Sequence, residues 1–68
     1  MAGQWELALE SICASRGYSR PHYIESDCDL GYMYFIVVDG QVYTGLCYES
    51  REEARDEAAR VAYRELTW

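Results

Sequence analysis

A β-hairpin signal in the middle of the chain constrains the fold more than any other feature. Two runs rich in β-branched and aromatic residues, Tyr32–Val38 and Gln41–Tyr48, are separated only by Asp39-Gly40. Asp-Gly between such runs is typical of a type I′ turn, because both turn positions need a positive φ, and the turn also sets the register of the strands. The expected cross-strand pairs are Val37 with Val42, Phe35 with Thr44, and Met33 with Leu46.

Amphipathic helices are expected on both sides of this hairpin. An apolar stripe with helical spacing, followed by Gly17 at a C-terminal capping position, predicts the first helix; its members are Trp5, Ala8, Leu9, Ile12 and Cys13. Ser50 and Glu53 form a capping box that opens a second helix running from Arg51 to Leu66. Between the first helix and the hairpin, residues 22–26 give a weak strand signal, and residues 27–31 have turn chemistry.

The predicted order is therefore helix, strand, strand, strand, helix. With 68 residues the chain has room for one domain, with a core spanning about residues 5–66. The arrangement that buries both helix stripes is an α+β fold, in which a three-stranded antiparallel sheet carries both helices on one face.

The net charge argues against a protein whose main function is to bind the phosphate backbone of nucleic acids. The chain has 12 acidic and 6 basic residues, for a formal charge of −6, whereas such proteins are usually basic. Its longest apolar run is far shorter than a membrane helix requires, and no secretory signal is evident, so we expect an intracellular protein (cytoplasmic or nuclear) with no membrane partner. In that setting Cys13, Cys28 and Cys47, which form no CxxC pair, are expected to be reduced and buried.

Nothing in the sequence favours catalysis. His22 is the only histidine, and no Ser or Cys lies in a nucleophile motif. The cysteine and histidine spacing fits no zinc site, and the acidic residues Glu25, Asp27 and Asp29 are best interpreted as a solvated loop. We therefore expect no enzyme activity, no metal, no cofactor and no small-molecule substrate.

The order of elements, together with specific residues, resembles the double-stranded-RNA-binding domain family over roughly residues 5–66. The second helix carries the resemblance best: Ser50, Arg51, Ala54, Arg55, Ala58, Ala59, Ala62 and Leu66 follow the family's Ser-Lys-Lys-x-Ala-Lys-x-x-Ala-Ala-x-x-Ala-Leu-x-x-Leu pattern. Cys13-Ala14-Ser15-Arg16-Gly17 at the end of the first helix and the Pro21-His22-Tyr23 that follows also fit.

The resemblance implies three RNA-contacting patches, of which this chain keeps only part. The first-helix patch would involve Glu10 or Ser11, and the lysine cluster of the second helix survives as Arg51 and Arg55, with Glu52 in place of its middle lysine. The family's Gly-Pro-x-His loop is missing, because residues 25–30 contain neither Pro nor His. Since few counterions would be released on binding, we expect duplex RNA to bind weakly or not at all at physiological salt.

Both faces of the hairpin are apolar, although two helices can cover only one. The family alignment turns Tyr32, Tyr34, Ile36 and Val38 inward and leaves Met33, Phe35, Val37, Val42 and Leu46 outward. An apolar patch of this kind usually marks a partner surface; alternatively, long side chains from strand one or from the termini, such as Trp68, fold over it.

The sequence therefore predicts a non-catalytic binding module with a degenerate RNA surface. Its expected partner is another protein or a second copy of the chain, held through the outward residues of the hairpin. The alternative is genuine but weak, sequence-independent binding of double-stranded RNA through the first helix, Arg51 and Arg55.

Overall fold

Helices at the two ends of the chain enclose three consecutive strands, in the order that the sequence predicts. The structure is a computed structural model and describes residues 3–68. Its elements are α1 (Gln4–Ser15), β1 (His22–Cys28), β2 (Gly31–Val38), β3 (Gln41–Thr44) and α2 (Arg51–Thr67). The strands form one antiparallel sheet in the order β1-β2-β3, and the predicted α+β fold is confirmed.

The turn between β2 and β3 has the predicted geometry. Asp39 and Gly40 both adopt positive φ angles, of 50° and 81°, as a type I′ turn requires. The register pairs Val37 with Val42 and Phe35 with Thr44, which confirms two of the three predicted pairs.

The third predicted pair, Met33 with Leu46, is wrong because β3 ends at Thr44. Pairing resumes only at a bridge between Tyr32 and Tyr48, whose backbone N–H groups each donate a 2.8 Å hydrogen bond to the other's carbonyl. Three residues, 45–47, therefore lie opposite two residues of β2, which is the geometry of a bulge.

Gly45 explains where the bulge lies. A Cβ atom at this position would come within 2.6 Å of the Ala58 Cβ and 2.9 Å of the Ala58 Cα on α2. Only glycine allows the chain to pass so close to the helix, so the backbone leaves the regular ladder at this residue.

The core lies between the sheet and the two helices. Of the residues predicted to face inward, Tyr34, Ile36 and Val38 are buried and Tyr32 is half-buried. The other buried apolar residues come from the helices: Leu9, Cys13, Ala54, Ala58, Ala59 and Ala62. The alanines of α2 allow the helix to approach the sheet closely.

Each helix has its first backbone N–H groups capped by a side chain. Gly3, the N-cap of α1, has no side chain to offer, and Asp56 of α2 takes over its role: Oδ1 accepts the backbone N–H groups of Trp5 at 2.9 Å and Glu6 at 3.1 Å. Ser50 Oγ accepts the backbone N–H of Glu53 at 3.3 Å, which confirms the hydroxyl half of the predicted capping box.

The prediction of reduced, buried cysteines is confirmed only for Cys13, which is buried and free. Burial raises the pKa of its thiol. Cys28 and Cys47 instead form a disulfide across a sequence separation of 19 residues, with their Cα atoms 6.2 Å apart. Their spacing gave no hint of this pairing, because the bridge between β2 and Tyr48 and the short turn after β1 together bring the two residues side by side.

No helix within residues 3–68 combines the length and the apolar character needed to cross a membrane.

Candidate functional site

The first turn of α2 carries Arg51, one of the two arginines that the family resemblance nominates for RNA contact. Its Nε donates a 2.6 Å hydrogen bond to Oε1 of Glu25 on β1, and its guanidinium lies 4.8 Å from the centre of the Tyr32 ring. The side chain remains 60% exposed. Arg51 is therefore accessible to solvent, but its charge is already compensated by Glu25.

The next turn carries Arg55, which is held more tightly. Its Nε donates a 2.9 Å hydrogen bond to Oε2 of Glu6 on α1, whose side chain is only 10% exposed. The guanidinium also packs over the ring of Tyr23 at 4.3 Å. Burial lowers the pKa of Arg55, but the hydrogen bond and negative charge of Glu6 outweigh it and raise the pKa overall. This arginine links the two helices to β1.

Tyr34 also forms a hydrogen bond to Glu25, the carboxylate that pairs with Arg51. Its hydroxyl donates a 2.7 Å hydrogen bond to the same Glu25 oxygen that accepts from Arg51. The hydrogen bonds from Tyr34 and then from Arg51 hold the pKa of Glu25 below its ordinary value of 4.5. Glu25 therefore stays ionised near neutral pH and keeps its attraction for Arg51.

The Arg55 guanidinium also lies 5.8 Å from the centre of the Tyr34 ring and so joins the contacts of the two arginines. We call the resulting cluster the arginine–carboxylate network; its members are Glu6, Tyr23, Glu25, Tyr32, Tyr34, Arg51 and Arg55. As i, i+4 neighbours on a helix, Arg51 and Arg55 could share a phosphate. The structure places them on the same side of α2, where each contacts a different carboxylate from a different element.

The partners of these arginines could not be identified from the sequence. Glu52 and Glu53, which lie between the two arginines in the sequence, are exposed and form none of the ion pairs found within residues 3–68. The actual partners are 26 and 49 residues away from the arginines. No local pattern links positions so far apart.

The α1 positions nominated by the resemblance lie on the opposite side of that helix from the core. Glu10 and Ser11 are both exposed. Leu7, one turn earlier, is 58% exposed. This surface contains a carboxylate and an aliphatic side chain but no basic residue.

The connection between β1 and β2 is short and tied down. Only Asp29 and Leu30 separate the two strands, and the disulfide joins Cys28 at the end of β1 to Cys47. The backbone N–H of Leu30 also lies 3.4 Å from the Cys47 Sγ. The segment that corresponds to the family's Gly-Pro-x-His loop is thus a cross-linked tight turn.

The face of the sheet opposite the helices is largely apolar and carries no Asp, Glu, Lys or Arg, and we call it the outer sheet face. By strand register it consists of His22, Ile24, Ser26, Cys28, Gly31, Met33, Phe35, Val37, Val42 and Thr44. Met33, Phe35 and Val37 are half-buried among their neighbours, whereas Ile24 is 43% and Val42 61% exposed. Ile24 was missed in the sequence because β1 carries only a weak strand signal.

The sequence suggests two further residues for this face, Leu46 as a member and Trp68 as an alternative cover. Leu46 is 65% exposed but lies in the bulge beyond β3, outside the paired ladder. Trp68 is 95% exposed and does not fold over the sheet.

Comparison with known proteins supports the fold through structure alone. No protein-family model matches the sequence, and no curated protein matches it significantly. Among solved structures, one reported for Arabidopsis HYL1, in connection with miRNA processing, superimposes with a TM-score of 0.75 at 21% identity and covers 97% of this chain and 100% of that one. The second double-stranded-RNA-binding domain of DRB4 gives a TM-score of 0.71 at 19% identity, covering 96% and 97% of the two chains. The α-β-β-β-α architecture of this chain is therefore the double-stranded-RNA-binding-domain fold.

Proposed function

We propose that this chain is a protein-interaction module that self-associates through its outer sheet face and whose duplex-RNA surface is largely neutralised. The observation that carries the proposal is the largely apolar outer sheet face, which carries no Asp, Glu, Lys or Arg, on a chain with a formal charge of −6. Large contiguous apolar patches on soluble domains usually mark interaction surfaces.

A second copy of the chain is the occupant that this face suits best. Two copies with a net charge of −6 repel each other wherever their carboxylates approach. Across the outer sheet face they can bury Ile24, Phe35 and Val42 without bringing two carboxylates together or desolvating an ion pair. A two-fold arrangement would place the same patch on both sides of the interface, as most homodimers do.

The arginine–carboxylate network supports the proposal that the duplex-RNA surface is largely neutralised. To contact an RNA phosphate, Arg55 would have to share or leave Glu6, a residue that is only 8% exposed. Leaving a carboxylate of such low exposure without its cation is unfavourable. Arg51 faces the same competition from Glu25, so phosphate contact at this surface would release few counterions.

Static light scattering over a concentration series tests self-association. Wild-type protein is expected to rise from monomer to dimer mass, whereas Phe35→Glu, which puts a charge in the middle of the patch, should remain monomeric with an unchanged circular dichroism spectrum. Leu7→Glu introduces the same charge at an exposed leucine on α1 and should dimerise like wild type. A wild-type protein that stays monomeric at high micromolar concentration would contradict the proposal.

Weak, sequence-independent binding of double-stranded RNA is the second candidate. The observation that favours it is the 60% exposure of the Arg51 side chain at the N-terminus of α2, where backbone N–H groups also attract anions. It predicts a salt-sensitive complex with a duplex of about 16 base pairs, the span of such domains. The Arg51→Glu, Arg55→Glu double variant should abolish the complex, and an absence of binding by wild type even at low salt would exclude this candidate.

A further inference from the structure

The structure contains a covalent feature that neither the fold nor the proposed function explains. The disulfide between Cys28 and Cys47 lies at the end of the sheet where β1 turns into β2 and where the chain enters α2. Both residues are half-buried, and neither belongs to the buried apolar core. A small thiol reagent can therefore reach the bond without unfolding the protein.

Few backbone hydrogen bonds hold segment 45–49 against the sheet, although Tyr48 also packs against the core. They are the bond from Gly45 to the Tyr34 carbonyl, at 2.9 Å, and the reciprocal pair between Tyr32 and Tyr48. Because β3 ends at Thr44, the ladder does not continue through this segment. The disulfide is thus the strongest link between the β1–β2 turn and the stretch that leads to Ser50 and the start of α2.

The same contacts favour re-formation of the bond after reduction. The Tyr32–Tyr48 bridge would keep the two cysteines adjacent, which makes oxidation intramolecular. The Leu30 N–H, 3.4 Å from Cys47 Sγ, would stabilise a thiolate there. Cys47 is therefore the better leaving sulfur, and an incoming thiolate is expected to attack Cys28.

We propose that Cys28 and Cys47 form a reversible dithiol/disulfide pair through which a cellular thiol such as glutathione sets the stability of the domain. In reduction, a glutathione thiolate attacks the Cys28 Sγ, the S–S bond breaks, and its electron pair passes to Cys47 Sγ. A second glutathione thiolate then attacks the mixed disulfide and releases Cys28, giving oxidised glutathione. Two electrons enter the protein, and the two cysteine thiolates take up two protons in becoming thiols.

The expected effect is large for a chain of this size. In the chain-entropy account, closing a loop with a sequence separation of 19 residues shifts the unfolding equilibrium toward the folded state on the order of 200-fold. For a domain of this length that corresponds to a melting temperature higher by about 13–26 °C in the oxidised form. Since small domains are only marginally stable, the oxidised and reduced forms would differ in how often they open.

Equilibration of the full chain in a series of reduced and oxidised glutathione mixtures tests the proposal. Free thiols are trapped with an alkylating reagent under native conditions and counted by mass, and the melting temperature is recorded for each mixture. We expect Cys28 and Cys47 to titrate together and reversibly, with the melting temperature following the fraction oxidised. Cys13, which is buried, should react only after unfolding.

Two variants test whether the response of the melting temperature to glutathione comes from this disulfide. The Cys28→Ser, Cys47→Ser protein should melt like reduced wild type in every mixture, and Cys13→Ala should retain the full redox response. The proposal fails if the pair remains entirely oxidised or entirely reduced across the series. It also fails if both forms melt at the same temperature, or if the double variant still responds to glutathione.

Discussion

Glu6 and Arg55 are 49 residues apart in the sequence, yet Oε2 of Glu6 accepts a 2.9 Å hydrogen bond from Nε of Arg55. The pair joins α1 to α2, beside the place where Asp56 caps α1. Arg55, which the family resemblance nominates for RNA contact, therefore also contributes to the packing of the two helices.

Replacement of Glu6 by Gln should destabilise the fold. The amide loses the charge that Arg55 faces, and because the arginine is partly exposed we expect a loss of about 1–2 kcal/mol in the free energy of unfolding. Glu10→Gln, on the same helix but exposed, should change it by less than about 0.5 kcal/mol. Urea unfolding of the two variants gives the comparison, and equal losses would show that the Glu6–Arg55 pair has no special role.

Replacement of Glu25 by Gln should free Arg51 for phosphate contact. Duplex RNA affinity at low salt should rise, and the slope of log affinity against log salt should steepen by about 1, the value for one additional neutralised phosphate. Asp39→Asn makes the same change in net charge in the turn between β2 and β3, at a position whose positive φ asparagine tolerates. If both variants bind RNA equally, net charge rather than the Arg51 pair controls binding.

The Glu25 carboxyl should make stability depend on pH in the acidic range. Hydrogen bonds from Tyr34 and Arg51 lower its pKa in the folded state, so the unfolded state binds a proton more readily. The stabilisation is present above the ordinary pKa of 4.5 and is lost as pH falls through the lower folded value.

Urea unfolding of wild type and Glu25→Gln from neutral to acidic pH measures this contribution. The difference between them should be constant near neutral pH and shrink once the pH drops below 4.5. Tyr34→Phe, which removes the hydrogen bond from the tyrosine hydroxyl to Glu25, should raise the pKa of Glu25 in a carboxyl NMR titration. An unchanged titration would contradict the role given to the tyrosine.

Replacement of Gly45 by Ala should destabilise the protein through overpacking. The new Cβ would lie 2.6 Å from the Ala58 Cβ, so strand and helix must separate, at about 1–3 kcal/mol. Ala58→Gly also costs about 1 kcal/mol by weakening the helix. The Gly45→Ala, Ala58→Gly double variant should lose clearly less stability than the sum of the two single losses. Additive losses in thermal unfolding would rule out a direct contact.

Local patterns were sufficient to predict the elements of the fold. The Asp39-Gly40 turn, the α1 stripe and the Ser50 cap each depend on neighbours within a few residues, and each appears in the structure as expected. The order of the elements followed from these patterns, and the family resemblance supplied the inward face of β2.

Features that depend on long-range placement were missed or predicted wrongly. The bulge at Gly45 shifts Tyr48 by one position relative to the ladder, which removes the Met33–Leu46 pair and helps to bring Cys47 next to Cys28. The carboxylate partners of Arg51 and Arg55 come from β1 and α1, and their positions follow only from tertiary packing. A hairpin register extrapolated from its turn cannot reveal a bulge that a helix imposes from the other side.

Sedimentation velocity of the wild-type chain mixed with a labelled duplex of about 16 base pairs, in a buffer of about 0.15 M salt, tests the central claim most directly. The protein is expected to sediment as a dimer while the RNA sediments at the rate of free duplex. A monomeric protein that carries the RNA with it would contradict the account.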